Sequence, residues 1–146
     1  MRALYLMRHS LTEANERHLY SGSTDLPLTE RGRQIARERF GLTDDAIQVC
    51  TEDTLALDFS RRCVAYIDRF ALNRVRSGLE PADALLTDPG RLKDMIFIAN
   101  DVSGGVVPMD PTLRAWREAC GRMNLKLAKA SDEVWRLFCG IPQRLK

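Results

Sequence analysis

Two places in this 146-residue chain carry side chains of the right types and spacing for phosphate chemistry. The first is Arg8-His9, directly after the apolar run Ala3-Leu4-Tyr5-Leu6-Met7. A neutral imidazole nitrogen can attack phosphorus while an adjacent guanidinium binds the phosphoryl oxygens and neutralises the charge of the transition state. The bland alternative is a histidine filling a sheet edge beside a solvated arginine. The second place is Asn100-Asp101, which follows Met95-Ile96-Phe97-Ile98-Ala99 and leads into Ser103-Gly104-Gly105. A carboxylate there could hold Mg2+ or orient a hydroxyl near phosphates. Its alternative is a capping Asp turn, with glycines for tight backbone geometry. His9 and His18 are the only histidines, so a mechanism needing two well-separated histidines is excluded.

Positioning these pairs requires strands that end where they begin. Residues 3–7 and 95–99 read as strands buried on both faces. Thr29 is placed to cap a helix running to about Phe40, stopped by Gly41, and Ile47–Cys50 reads as a second strand. The spacing of Leu55, Phe59, Cys63, Tyr66/Ile67 and Phe70 predicts a helix over Glu52–Arg76, ended by Gly78 and Pro81. A loop with a short helix at Asp83–Leu86 follows. Asp110 caps, and Pro111 opens, a helix with Leu113, Trp116, Cys120, Met123, Leu127 and Ala130 on one stripe. Val134–Cys139 reads as the last strand, ended by Gly140 and Pro142. Alternating strands and helices predict an α/β fold of three layers, a mostly parallel sheet with helices on both faces. Ligands in such sheets sit beyond the carboxyl ends of the strands, where both pairs fall.

Composition sets the frame. With 45% hydrophobic and 29% charged residues, the chain reads as one globular domain over 1–146. A net charge of +2 selects neither nucleic acid nor an acidic membrane as partner. Cys50, Cys63, Cys120 and Cys139 are widely spaced, with no zinc-type cluster, so no metal site is assigned and the thiols are expected to be buried and reduced. No apolar stretch reaches the ~18 residues of a membrane span, and the opening run is too short for a signal peptide. The expected location is the cytoplasm.

The longer context of the first pair is specific. Met7-Arg8-His9-Ser10-Leu11-Thr12-Glu13-Ala14-Asn15, Tyr20-Ser21-Gly22-Ser23-Thr24-Asp25-Leu26-Pro27-Leu28-Thr29 and Gly32-Arg33-Gln34-Ile35-Ala36 follow one another in order. Together, over about 2–40, they resemble the start of the histidine phosphatase (phosphoglycerate mutase-like) superfamily, of its α-ribazole phosphatase type. The resemblance implies His9 as phospho-acceptor, Arg8 and Asn15 as phosphate contacts, and Gly22 as a backbone N–H donor. Ser60-Arg61-Arg62-Cys63 loosely resembles the family's second-arginine block, which would make Arg62 a phosphate ligand. Ser10 stands where the family usually has Gly, and the family's second histidine has no counterpart after His18.

The second pair also has its context. Asn100-Asp101-Val102 with Gly105-Val106-Val107-Pro108, then Arg114 to Asn124, Ala130 to Trp135 and Gly140-Ile141-Pro142, resemble the C-terminal part of the adenosylcobinamide kinase/adenosylcobinamide-phosphate guanylyltransferase family. This likeness covers 95–146 and extends weakly back to 46, so the domain reads as a phosphatase-like segment over 1–40 and a kinase-like one over 46–146. It implies that Asn100 and Asp101 form a nucleotide or substrate loop. The family's G-x-x-x-x-G-K-[ST] phosphate loop does not occur in the sequence, nor does any match to its acceptor histidine. The residues alone assign no cofactor, whereas the resemblance implies Mg2+ with GTP or ATP, and a homo-oligomer.

Both resemblances imply assembly of the cobalamin nucleotide loop, with a small phosphorylated substrate: cobinamide, a nucleotide or α-ribazole phosphate. Three readings stand: a kinase/guanylyltransferase-like protein without its phosphate loop, a phosphatase working through His9, and a non-catalytic remnant or phosphate-binding accessory domain. Because both families open with a strand whose exit loop handles phosphate, strand 3–7 is expected beside strand 95–99. That arrangement would bring Arg8-His9 near Asn100-Asp101.

Overall fold

The computed structural model describes residues 3–7, 38, 41–86, 89–92, 94–138 and 141–146. In chain order its regular elements are β1 (Ala3–Met7), β2 (Ile47–Val49), β3 (Cys63–Ala65), α1 (Ile67–Arg76), α2 (Pro81–Leu86), β4 (Ile96–Ala99), α3 (Pro111–Ala130), β5 (Glu133–Phe138) and β6 (Ile141–Arg144). The strands form one sheet in the order β2-β3-β4-β1-β5-β6. All neighbours run parallel except the β5–β6 pair. The fold is α/β, as the alternation of elements predicts.

β1 lies at the centre. It pairs with β4 through Ala3↔Ile96 to Leu6↔Ala99, and with β5 through Ala3↔Glu133 to Met7↔Leu137. The expected adjacency of strands 3–7 and 95–99 is therefore present, and both end at the same edge of the sheet.

The three helices pack against one another as a single layer. Phe70, Ile67 and Ala71 of α1, Leu85 of α2, and Cys120, Met123 and Leu127 of α3 are buried in one cluster with Val64, Phe97, Ala99 and Val134 of the sheet. Along β4 burial alternates, with Phe97 and Ala99 toward the helices and Ile96 and Ile98 half-buried on the other side. Of the helix expected over 29–40, Glu38 is helical. The rest lies outside the described residues.

The long helix expected over 52–76 is corrected. Its first part is an irregular crossover between the parallel strands β2 and β3, and only 67–76 is helical. Side chains there satisfy the main chain in place of a helical ladder. Gln48 donates to Ala56 O at 3.1 Å and accepts from Asp58 N at 2.8 Å. Asn73 reaches across from α1 to donate to Thr51 O and Thr54 O, both at 3.0 Å. Asp58 accepts from Ser60 N at 3.0 Å and from Arg61 Nε at 3.2 Å. The apolar residues at helical spacing thus belong to a loop, a strand and a helix in turn.

Helix α3 forms as expected: Asp110 accepts from Thr112 N at 2.7 Å and Leu113 N at 3.0 Å, and Pro111 starts the first turn. The last strand does not stop the chain as expected. Pro142 lies in β6, an edge strand, where a missing N–H breaks no ladder bond on its open side. Lys146 then donates from Nζ to Ser131 O at 2.5 Å and Ala128 O at 3.1 Å, a cation on the carbonyl end of α3.

Phe70 is fully buried beneath this helix layer. Phe70→Ala is expected to cost about 3–5 kcal/mol, read as a lower urea midpoint with the slope unchanged.

Candidate functional site

The parallel strands β3, β4, β1 and β5 deliver their carboxyl ends to one edge, where Asp68, Asn100, Asp101 and Arg136 meet. The turn after β3 opens with Tyr66 in the left-handed region, φ 58°, followed at once by α1. A non-glycine residue held so costs roughly 1–2 kcal/mol. The Arg69 guanidinium stacks over the Tyr66 ring at 4.8 Å. This sharp turn aims Asp68 from the first turn of α1 toward the end of β4. Asp68 is buried and accepts from Asn100 N at 2.9 Å and Asn100 Nδ2 at 3.2 Å. Its main-chain carbonyl takes the Trp116 indole N–H at 2.8 Å. Desolvation raises the Asp68 pKa above the ordinary carboxylate value, against the lowering effect of the Asn100 bonds.

A cleft of about 620 Å3 lies beside this cluster, lined by Asp101, Val102, Ser103 and Val107 of the loop after β4, by Arg114, Arg117, Glu118, Cys120, Gly121 and Asn124 of α3, and by Arg136 and Leu145. Gly121 leaves its floor open, since a Cβ built there would meet nothing within 4 Å. The loop wall is held by arginines. Arg114 Nη1 donates to Met109 O at 2.5 Å and Pro108 O at 3.1 Å. Arg117 donates to Ser103 O, to Val106 O at 3.2 Å and to Gly105 O at 3.4 Å. Val106 and Met109 stand almost fully exposed on that loop.

Asp101 sits at the mouth. One carboxylate oxygen accepts from Ser103 N at 3.0 Å and from the Ser103 hydroxyl, and the other meets Arg136 Nη2 at 2.9 Å. Ser103 first, and the Arg136 charge after it, hold the Asp101 pKa below the ordinary value. The ion pair is partly open, with side-chain exposures of 44% for Arg136 and 24% for Asp101, so it is worth about 0–1 kcal/mol.

The sequence-level site residues divide accordingly. Asn100 and Asp101 lie together at the carboxyl edge, with Asn100 turned to Asp68 and Asp101 to Ser103 and Arg136. Arg62 does not join them: it is exposed and precedes β3, its carbonyl accepting from Ile96 N at the amino end of the strands. Arg8, His9, Asn15 and Gly22 lie outside the described residues. Mg2+ does not fit Asp101 as a ligand, because both oxygens are engaged and a guanidinium stands beside them. Cys50, Cys63 and Cys120 are buried free thiols with pKa values pushed up to about 12 by desolvation, too high for nucleophiles at neutral pH.

Sequence reading missed Asp68, Arg114, Arg117 and Arg136. Asp68 was hidden inside an overlong helix. Arg136 had a signal: it is two residues from the buried Val134 on one strand, a charge on the core-facing side. Arg114 and Arg117, one helical turn apart and just past a glycine-rich loop, had another.

A parallel α/β protein with an arginine-lined cleft at the carboxyl edge of its sheet is the class that fold and site define. Comparison with known proteins narrows it. The sequence matches the family described as cobinamide kinase / cobinamide phosphate guanyltransferase over residues 71–145, just over half of its length, and the chain belongs to that family. Residues 4–46 match the histidine phosphatase superfamily (branch 1). Curated relatives include the bifunctional adenosylcobalamin biosynthesis protein CobU of Salmonella typhimurium, 38% identical over 52 residues, and that of Escherichia coli, 36% identical over 52 residues. Each match covers 36% of this chain and 29% of the relative, so the chain spans about three tenths of the length of the curated relatives it matches. Among the described residues no helix is long and apolar enough to cross a membrane.

The raised pKa of Asp68 has a sign that can be measured. The folded state holds a proton there above the ordinary value of 3.8, where the unfolded chain has lost it. Asp68 therefore subtracts stability as pH rises through that window. Asp68→Asn is expected to gain stability relative to the wild type as pH rises above the ordinary carboxylate value of 3.8, in urea titrations at each pH. A difference independent of pH would contradict the burial argument.

Proposed function

We propose that this chain serves cobalamin nucleotide-loop assembly as a kinase/guanylyltransferase-type protein that holds a small phosphorylated substrate in the cleft at the carboxyl edge of β4, β1 and β5. The substrate is cobinamide phosphate, a nucleotide or α-ribazole phosphate. The observation that carries this reading is the register of β1, Leu6↔Ala99 on one side and Leu6↔Arg136 on the other. The strand matched to the phosphatase superfamily therefore runs out beside Asn100-Asp101 and the arginine-lined cleft. Arg8 and His9 are the next residues in the chain. In this reading 1–146 is one α/β domain, in the cytoplasm, and phosphate is met by arginines in place of a G-x-x-x-x-G-K-[ST] loop. Asn100 and Asp101 line the substrate side, and a second copy of the chain is the expected partner.

The match over 4–46 favours one second reading, a phosphatase in which His9 takes the phosphoryl group with Arg8, Asn15 and Gly22 around it. A single experiment separates the two. The protein is incubated with α-ribazole phosphate, or with GTP–Mg2+ and cobinamide, and followed by thermal unfolding and intact mass. Binding in the cleft at a hundredfold excess over Kd adds about 2.7 kcal/mol, a Tm rise of roughly 5–10 °C, in both the wild type and His9→Ala. A phosphoryl adduct lost in His9→Ala supports the phosphatase reading instead. No rise and no adduct with any of these ligands contradicts both.

A further inference from the structure

Resting on the reading that the cleft takes a phosphorylated ligand, we infer that Asn124 recognises the base of that ligand, and that the ligand is a nucleotide whose base carries an N–H donor next to an acceptor. The polar side chains at the loop end of the cleft are already engaged. Asp101 accepts from Ser103 and meets Arg136, while Arg114 and Arg117 donate to main-chain carbonyls of the loop over 103–109. Asn124, also in the lining, differs from them. Its Oδ1 is buried without a hydrogen-bond partner. Such an acceptor has lost its water and gained no bond in exchange, so it destabilises the empty protein. A donor that arrives with a ligand removes that penalty, which turns the unpaired oxygen into a source of affinity.

The surroundings fit a base. Gly121 stands one turn before Asn124 on α3, and a Cβ there would meet nothing within 4 Å, so a flat ring has room against the helix beside the amide. The buried Cys120 and the half-exposed Leu145 add apolar surface to the same lining. From Arg117 to Asn124 the helix rises by about 10 Å, a span that a mononucleotide covers from its phosphate to the far edge of its base. With no partner on its oxygen, the amide turns about a broad, two-fold terminal torsion. It therefore meets a donor and an acceptor lying side by side, as on the edge of a purine. The base of α-ribazole phosphate has no N–H and leaves the oxygen unpaired. The ligand class is a purine nucleotide.

The test is calorimetric titration of the full chain with GMP and, separately, with α-ribazole phosphate. Wild type is expected to bind GMP at least about tenfold more tightly than α-ribazole phosphate. Asn124→Leu keeps the shape of the side chain and removes its polar atoms. In this variant GMP is expected to bind at least about tenfold more weakly, with α-ribazole phosphate unchanged. Without ligand the same variant is expected to unfold in urea at a midpoint no lower than that of wild type, since a buried acceptor without a partner is gone. A lowered midpoint shows an amide that serves the fold and overturns the assignment. So does wild-type affinity for GMP in Asn124→Leu, or equal binding of the two ligands by wild type. Those outcomes leave the cleft reading standing, whereas a wild-type protein that binds neither compound overturns both.

Discussion

The structure depends on one strand being paired on both of its edges. β1 donates to and accepts from β4 on one side and β5 on the other, and without it these two strands would each present an open row of N–H and C=O groups to water. The two family matches are separate in sequence, 4–46 and 71–145, but interleaved in the sheet, because a strand of the first lies between two strands of the second. Parallel pairing carries the consequence for function. It makes β1, β4 and β5 end at one edge, so Met7 closes its strand on the same side of the sheet as Asn100-Asp101.

At that edge the charges are arranged by what each side chain must satisfy. Arg114 and Arg117 bind loop carbonyls and make a wall, and the buried Asp68 binds Asn100 and ties the end of β4 to the start of α1. The Asp101–Arg136 pair lies partly exposed beside them in the lining of the cleft. The cost of the arrangement is visible in Tyr66, left-handed without being glycine, and in the unfavourable burial of Asp68. Both lie within the turn that aims α1 at the site.

Much of this was legible in the residues, for physical reasons that differ by element. β1 and β4 were readable because a short apolar run followed at once by polar residues fits a strand buried on both faces. α3 was readable because Asp110, Pro111 and a long apolar stripe agree with one another. The segment 52–66 misled, since Leu55, Phe59 and Cys63 fall at helical spacing by coincidence while Gln48, Asn73 and Asp58 supply the bonds that keep it irregular. Asn100 and Asp101 were legible from their place after a strand. Their partners were not, because Asp68 and Arg136 meet them across 32 and 35 residues of sequence, through strand order that no local pattern encodes.

The central claim, that β1 is an integral strand of this sheet, is tested most directly by native-state amide hydrogen exchange on the full chain. If β1 is locked between β4 and β5, the amides of Leu4, Tyr5 and Leu6 exchange only through global unfolding, with the same free energy as those of Phe97, Ile98, Val134 and Trp135. Exchange of Leu4 to Leu6 at a much lower free energy, with β4 and β5 still fully protected, would contradict it.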